Sequence, residues 1–222
     1  MTECRSPRGC DRFFGARFAA RLARQYRKSG LDQSAKQLVD FLEQRGIRDA
    51  TVLEVGGGVG VIQIELLRRG AAGTLNLEIS PGYEDQAQQL LAEAGLADRA
   101  VRRIHDIAAD PAGVEPADVV VLHRVVCCYP DYERLLTAAA DHARRMLVFS
   151  YPPRNAASRF ILGTENLIFR LLRWEFRVFN HPPAAMLAVL ERRGLRPTYT
   201  GQRAVWRVTG LERTEHIEPG PA

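Results

Sequence analysis

The stretch V-L-E-V-G-G-G-V-G, Val52 to Gly60, decides how the rest of the chain is read. Thr51 to Val55 is short and apolar apart from Glu54, as a buried strand is. Val59 to Arg69 carries Ile62, Leu66 and Arg69 at helical spacing, and Gly70 stops it. Between the two, three successive glycines permit a tight turn and leave backbone bare where a ligand can approach. The free N–H groups of the helix starting near Val59 face that space and suit a carboxylate. Spacing narrows the ligand. A dinucleotide fingerprint, G-x-G-x-x-G, needs glycine where this chain has Val61 or Gln63. No G-K-[ST] follows, so a phosphate-cradling P-loop is absent. The pattern is E-x-G-x-G-x-G.

Working outward, the same alternation of strand and helix recurs. Upstream, Gln33 to Gln44 is a helix with Leu38, Phe41 and Leu42 on one face, closed by Gly46. Downstream, strands are expected at Gly73–Ile79, Ala100–His105, Ala117–Leu122 and Arg145–Ser150, and helices at Tyr83–Ala94 and Tyr132–His142. Such a series argues for an α/β fold, a doubly wound, mostly parallel sheet covered on both faces. Ligands of these sheets bind beyond the carboxyl ends of the strands, so the loops after Val55, Ile79, His105 and Leu122 line one crevice. Residues 151–183 are too many for a simple connection. They hold an apolar helical pattern from Phe160 to Trp174, expected as a helical cover over the substrate, and a helix Ala184–Arg193 follows. The chain closes with two short strands, Leu195–Thr200 and Ala204–Thr209, read as an antiparallel hairpin turning at Gly201-Gln202. The expected organisation is an N-terminal helical extension (1–30), one catalytic domain (31–213) containing the insertion 151–183, and a frayed tail (214–222).

Three carboxylates stand at successive strand ends. Glu54 lies in the first strand, Glu78 ends the second, and Asp106 follows the third. A carboxylate after the second strand suits ribose hydroxyls, and one after the third can accept from an adenine amino group. Together they repel phosphates and favour a cation, although each alone reads equally as an acid on a loop rim. S-adenosylmethionine carries a sulfonium, an ammonium and no phosphate.

On these motifs and the element order, residues 31–209 resemble the class I S-adenosylmethionine-dependent methyltransferases. That family has a seven-stranded sheet ending in an antiparallel hairpin. The resemblance implies a donor site formed by Tyr26, Glu54, Gly56, Gly57, Gly58, Glu78, Ile79, Asp106, Ile107 and His123. Glu54, Gly56 and Gly58 would surround the methionine, Glu78 the ribose and Asp106 the adenine. Within the class, Y-R-K-S-G-L-D (Tyr26 to Asp32) and Tyr129-Pro130 are similar to the magnesium-protoporphyrin O-methyltransferase group. The chain departs from that group's fourth-strand motif at Arg124 and Cys128.

Methyl transfer is an in-line displacement that needs alignment and dryness. A base is needed only where the acceptor must lose a proton. His123, directly after the fourth strand, is the first candidate base, and Tyr129 and His181 follow. Each reads also as a structural residue, His123 as a satisfied strand-end histidine and Tyr129 as packing after a turn. His105 is expected to point away from the site, since strand neighbours face opposite sides. Cys127-Cys128 could hold a soft metal with Cys4 and Cys10, but the spacing matches no zinc pattern, and no metal site is expected.

Composition excludes other classes. The 222 residues are 46% hydrophobic and 26% charged, as in globular domains and unlike disordered or fibrous chains. No apolar run spans a membrane. No signal-peptide core follows Met1, so a cytoplasmic site with reduced thiols is expected. The arginine-rich first 30 residues resemble a transit peptide. Phe14, Phe18 and Leu22 recurring on one face read instead as an amphipathic helix of the mature protein. The net charge is +5, with only Lys28 and Lys36 as lysines, and it is spread along the chain. That argues against nucleic acid as partner. The expected function is methyl transfer to a small molecule, by O-methylation of a carboxylate or phenol. The alternatives are an RNA or protein methyltransferase and a non-catalytic S-adenosylmethionine-binding protein. The oligomeric state is not legible.

Overall fold

In the computed structural model, residues 14–174, 176–203 and 205–214 are described. Seven strands form one sheet: β1 (Thr51–Val55), β2 (Gly73–Glu78), β3 (Ala100–Ile104), β4 (Ala117–Leu122), β5 (Ala143–Tyr151), β6 (Leu195–Arg203) and β7 (Trp206–Arg213). Their order is β3-β2-β1-β4-β5-β7-β6. Strands β1 to β5 run parallel, and β7 enters antiparallel between β5 and β6. The strand order reverses between β1 and β4, so their carboxyl ends splay apart into a crevice.

Helices cover both faces. Those before and within the βαβ units are α1 (Ala16–Ser29), α2 (Gln33–Gln44), α3 (Val61–Arg68), α4 (Glu84–Ala94) and α5 (Tyr132–Asp141). The last two are α6 (Ala156–Leu171) and α7 (Pro183–Arg192). One face buries Leu53, Val120, Leu122 and Leu147 under α5 and α7. The other buries Val52, Val119, Val121 and Val148 under α2 and α3. Strand β4 contributes to both, and its valines and Leu122 are fully buried, which is why it shows no polar alternation. Helix α1 packs Ala19 and Ala23 into a third cluster with Val59, Ile64 and Tyr83. Its Phe14, Phe18 and Leu22 lie against that cluster, while Arg17, Arg21 and Arg24 are exposed.

Several boundaries differ from expectation. Helix α3 starts at Val61, because Gly60 adopts a left-handed φ of 76° at its N-cap and prolongs the turn. Helix α6 starts early, at Ala156, because the Asn155 side chain accepts from the Ser158 N–H. It ends at Leu171, before Arg173 turns left-handed at φ 54°. The hairpin does not turn at Gly201-Gln202. Gly201 lies inside β6, opposite Val208, and the chain reverses after Arg203. Glycine serves there for close approach, since a Cβ would overlap Gln37 of α2 and the Tyr199 hydroxyl. Cys4, Cys10 and 215–222 of the expected tail lie outside the described residues.

Candidate functional site

A cavity of about 270 Å³ opens at the switch point. Its floor is the glycine loop, shaped by three left-handed glycines: Gly56 (φ 66°), Gly58 (φ 55°) and Gly60 (φ 76°). The Gly60 N–H donates to the Gly57 carbonyl at 2.9 Å and closes the turn. Two buried groups hold the loop from below. Arg102, on β3, donates to the Gly58 carbonyl at 2.7 Å and pairs with Glu84 at 3.0 Å. Glu54 accepts from Asn76 Nδ2 at 3.2 Å.

These supports make Gly57 the position least able to change. A Cβ there would overlap the Asn76 amide and the Glu54 carboxyl, both buried. At Gly58 a Cβ would find Tyr83 at an ordinary 3.5 Å. Gly57→Ala should therefore cost about 3 kcal/mol of unfolding free energy, from overpacking and a broken buried hydrogen bond. Gly58→Ala should cost about 1 kcal/mol, the penalty of a left-handed alanine. Urea unfolding checks the order, and the reverse order would contradict this account of the loop.

Glu78 ties the second strand to the loop. Its Oε2 accepts from the Gly58 N–H at 2.9 Å, and its Oε1 accepts from Ile79 and Ser80 at 2.9 and 3.0 Å. Burial pushes its carboxyl above the usual range against those three hydrogen bonds. Glu78 and Ile79 line the cavity, as do Tyr26, Gly56, Gly57, Gly58, His123 and Tyr129. The Tyr26 hydroxyl donates to Glu65 Oε1 at 2.6 Å. Burial and that carboxylate hold its phenol well above the ordinary value.

Three expected donor contacts are not on the cavity wall. Glu54 is 1% exposed and lies beneath the loop, because its strand position points it inward to Asn76. Its burial, partly offset by Arg102, pushes its carboxyl up to about 7. Asp106 turns its Oδ1 back to cap the Ala108 N–H at 3.0 Å. Its Oδ2 accepts from the Tyr129 hydroxyl at 3.1 Å. Ile107 is buried in the main core. Among the other expectations, His105 ring Nε2 lies 2.7 Å from the Asp110 carbonyl. His181 ring Nε2 lies 3.0 Å from the Tyr129 carbonyl, so it pins the loop after β4.

Across the cavity from the glycines stands a polar cluster that motif reading missed. Asp32 caps α2, accepting from the Ser34 and Ala35 N–H groups. Arg124 NH2 pairs with Asp32 at 3.0 Å and donates to Ser34 Oγ at 3.0 Å. Burial alone would raise the Asp32 carboxyl, but His123, Ser34 and Arg124 hold it well below the usual range. The Arg124 N–H donates to Ser150 Oγ at 2.9 Å. Ser150 Oγ lies 3.0 Å from His123 Nδ1. His123 Nε2 has no hydrogen-bond partner and lies 3.8 Å from Asp32 Oδ2. Burial lowers the His123 pKa, so the ring is neutral near pH 7. Tyr129 is held protonated by burial and by Asp106. The sequence signals for this cluster were His123 after the fourth strand, Arg124 as a departure from the family-like motif, and Asp32 before the helix of Gln33 to Gln44, an N-cap pattern.

A second cavity of about 260 Å³ adjoins the first, and Phe14, Arg124 and Cys128 line both. Its walls are otherwise mostly aromatic and apolar, with Phe169, Phe176 and Trp206, and carry one acid, Glu165. The Arg124 guanidinium lies 4.8 Å over the Trp206 ring, a cation–π arrangement. Arg124 is held at a left-handed φ of 60°. Cys127 and Cys128 both line this cavity, with sulfurs 3.7 Å apart. Among the described residues no group of three metal-ligating side chains is found.

Comparison with known proteins agrees with this geometry. A family model described as a methyltransferase domain matches residues 22–198. No curated protein matches the chain. Among solved structures, magnesium protoporphyrin IX methyltransferase from Synechocystis PCC 6803, with bound SAH, superposes with a TM-score of 0.74 at 20% identity. That match covers 92% of this chain and 98% of the other. An O-methyltransferase family protein from Burkholderia thailandensis gives 0.67 at 18% identity, over 90% of this chain and 59% of its own. A TehB-like SAM-dependent methyltransferase from Corynebacterium glutamicum gives 0.63 at 18% identity, over 90% and 98%.

Proposed function

The chain belongs to the methyltransferase-domain family, and on that premise we propose that it moves a methyl group from S-adenosylmethionine to a carboxylate of a small apolar molecule. The donor fits the first cavity chemically. The glycine loop leaves space that side chains would fill, and Glu78 and Asp32 give the wall negative charge without a phosphate site. Glu78 would take the ribose hydroxyls, and Tyr26, Gly56, Gly57, Gly58, Ile79 and His123 would enclose the rest. The donor supplies an electrophilic methyl on a good leaving group.

One observation carries the choice of acceptor: the cationic Arg124 lines both cavities. His123 shares one nitrogen with Ser150, and its other nitrogen has no hydrogen-bond partner and lies 3.8 Å from Asp32. The Tyr129 hydroxyl is protonated and donates to Asp106. Asp32 is tied to Arg124. A carboxylate oxygen is nucleophilic without losing a proton, and a phenol is not. Arg124, at the junction of the two cavities, can steer such an anion. The acceptor oxygen forms its bond to the methyl carbon as the carbon–sulfur bond breaks, yielding a methyl ester and the neutral thioether. The chain's part is to align, to steer and to keep water out. A cavity of about 260 Å³ holds a small acceptor and not a folded polymer.

Mass spectrometry of reactions with 2-naphthoate and 2-naphthol tests this. Ester from the acid in preference to ether from the phenol is expected, and the reverse preference would overturn the carboxylate reading. His123→Gln should lower kcat at saturating donor by less than about tenfold, whereas losing a general base costs about 100-fold or more.

A further inference from the structure

Helix α6 has an exposed face of which the second cavity uses only one edge, at Ile161. Among the described residues ten large hydrophobic side chains are exposed, and six are on or just after this helix: Phe160, Ile161, Leu167, Ile168, Leu171 and Leu172. Phe160 is 76% and Leu171 73% exposed, far beyond a packed helix. At 100° per residue Phe160, Leu167, Ile168 and Leu171 share one face, Ile161 and Leu172 continue it around one edge, and Ser158, Leu162 and Phe169 lie on the far side of Phe160, Leu167 and Leu171. That opposite side meets the protein: Ser158 and Phe169 are buried, and Leu162 lines the second cavity. Phe160, Leu167 and Leu171 line neither cavity, so substrate enclosure does not account for them.

The charges around the stripe select its occupant. Arg154 and Arg159 flank its start, Arg170, Arg173 and Arg177 its end, and all five are exposed. Arg159 and Arg170 fall on the same edge of the helix, next to Phe160 and Leu167. The acid within the helix, Glu165, is on the edge away from these arginines, beside Ile161 at the second cavity. The helix that carries it is about 24 Å long, from 16 residues at a rise of about 1.5 Å. That is too short to cross a bilayer core of about 30 Å, and no described helix is apolar enough to do so. A second copy is disfavoured, because both ends of the stripe are basic and either antiparallel or parallel pairing sets arginine against arginine. An apolar face edged with arginines matches an anionic lipid surface, with the side chains in the acyl boundary and the guanidinium groups at the phosphates.

We propose that α6 docks this protein in the plane of an anionic membrane surface. Co-flotation of the full chain with vesicles tests it. Vesicles of equal parts phosphatidylglycerol and phosphatidylcholine should carry the protein at low salt, and phosphatidylcholine alone should carry much less. The double variant Leu167→Glu, Leu171→Glu removes exposed side chains only, and it should lower the partition at least about tenfold with the melting temperature unchanged. The triple variant Arg159→Gln, Arg170→Gln, Arg173→Gln should abolish the preference for phosphatidylglycerol. Absence of co-flotation, or equal co-flotation of wild type and double variant, would overturn the proposal. So would a wild-type dimer in light scattering that the double variant dissolves, which would assign the stripe to a second copy.

Discussion

Glu78→Ala is expected to raise the dissociation constant for S-adenosylmethionine by roughly 10- to 100-fold, from the loss of charged hydrogen bonds worth about 1.5–3 kcal/mol. The effect has two parts. The variant loses the acceptor proposed for the ribose hydroxyls. It also releases the Gly58, Ile79 and Ser80 N–H groups, which Glu78 holds at 2.9–3.0 Å. Glu78→Gln separates the parts, because a glutamine oxygen can keep accepting from one side of the loop while the charge is gone. Isothermal titration of both variants checks this, with the glutamine variant expected between wild type and alanine. Unchanged affinity in Glu78→Ala would place the donor elsewhere.

The second large effect concerns pH. Glu54 is buried under the glycine loop, and its carboxyl is pushed up to about 7, against about 4.3 when unfolded. The folded chain therefore holds a proton that the unfolded chain has already released. A group with a raised folded pKa contributes its stability fully below the unfolded value and loses it as pH rises through the folded one. Between about pH 4.5 and 7 the wild type should thus lose roughly 2–3 kcal/mol through this residue, at about 1.4 kcal/mol per unit. Glu54→Gln removes the ionisation and can still pair with Asn76, whose Oδ1 has no partner. The variant should match wild type near pH 5 and exceed it by about 2 kcal/mol near pH 8. Asp32 does not confuse the comparison. Its lowered carboxyl makes it lose stability only as pH falls below the usual carboxylate range, and it is present in both proteins. Chemical denaturation at the two pH values checks it, and a constant difference between the proteins would contradict the burial argument.

Much of the fold was legible because local signals agreed. Buried strands without polar alternation, helices closed by Gly46, Gly70 and Gly95, and a long final insertion pointed to one layered sheet. The hairpin was misplaced for a physical reason. Gly201 looks like turn punctuation, but its missing Cβ makes room for Gln37, a contact between residues far apart in sequence. The site was legible where backbone chemistry makes it, at Gly56 to Gly58 and Glu78. It was less legible where a side chain's direction decides. Glu54 and Asp106 stand at strand ends as expected, yet one turns under the loop and the other back onto its own turn. Arg102, Asp32 and Arg124 gain their roles from Gly58, Arg124 and Ser150, which lie 44, 92 and 26 positions away, and no spacing announces them. Helix α6 is expected as a substrate cover, and Ile161, Leu162 and Phe169 line the second cavity; periodicity reports an apolar face without saying what lies against the rest of it.

The proposed adenosyl donor lies on the glycine loop with its sugar at Glu78. A crystal structure with bound S-adenosylhomocysteine measures this directly. The ribose hydroxyls are expected within hydrogen-bonding distance of the Glu78 carboxylate, with the sulfur facing Arg124 and the second cavity. A ligand seated away from Gly56 to Gly58, or a sugar beyond the reach of Glu78, would contradict the account.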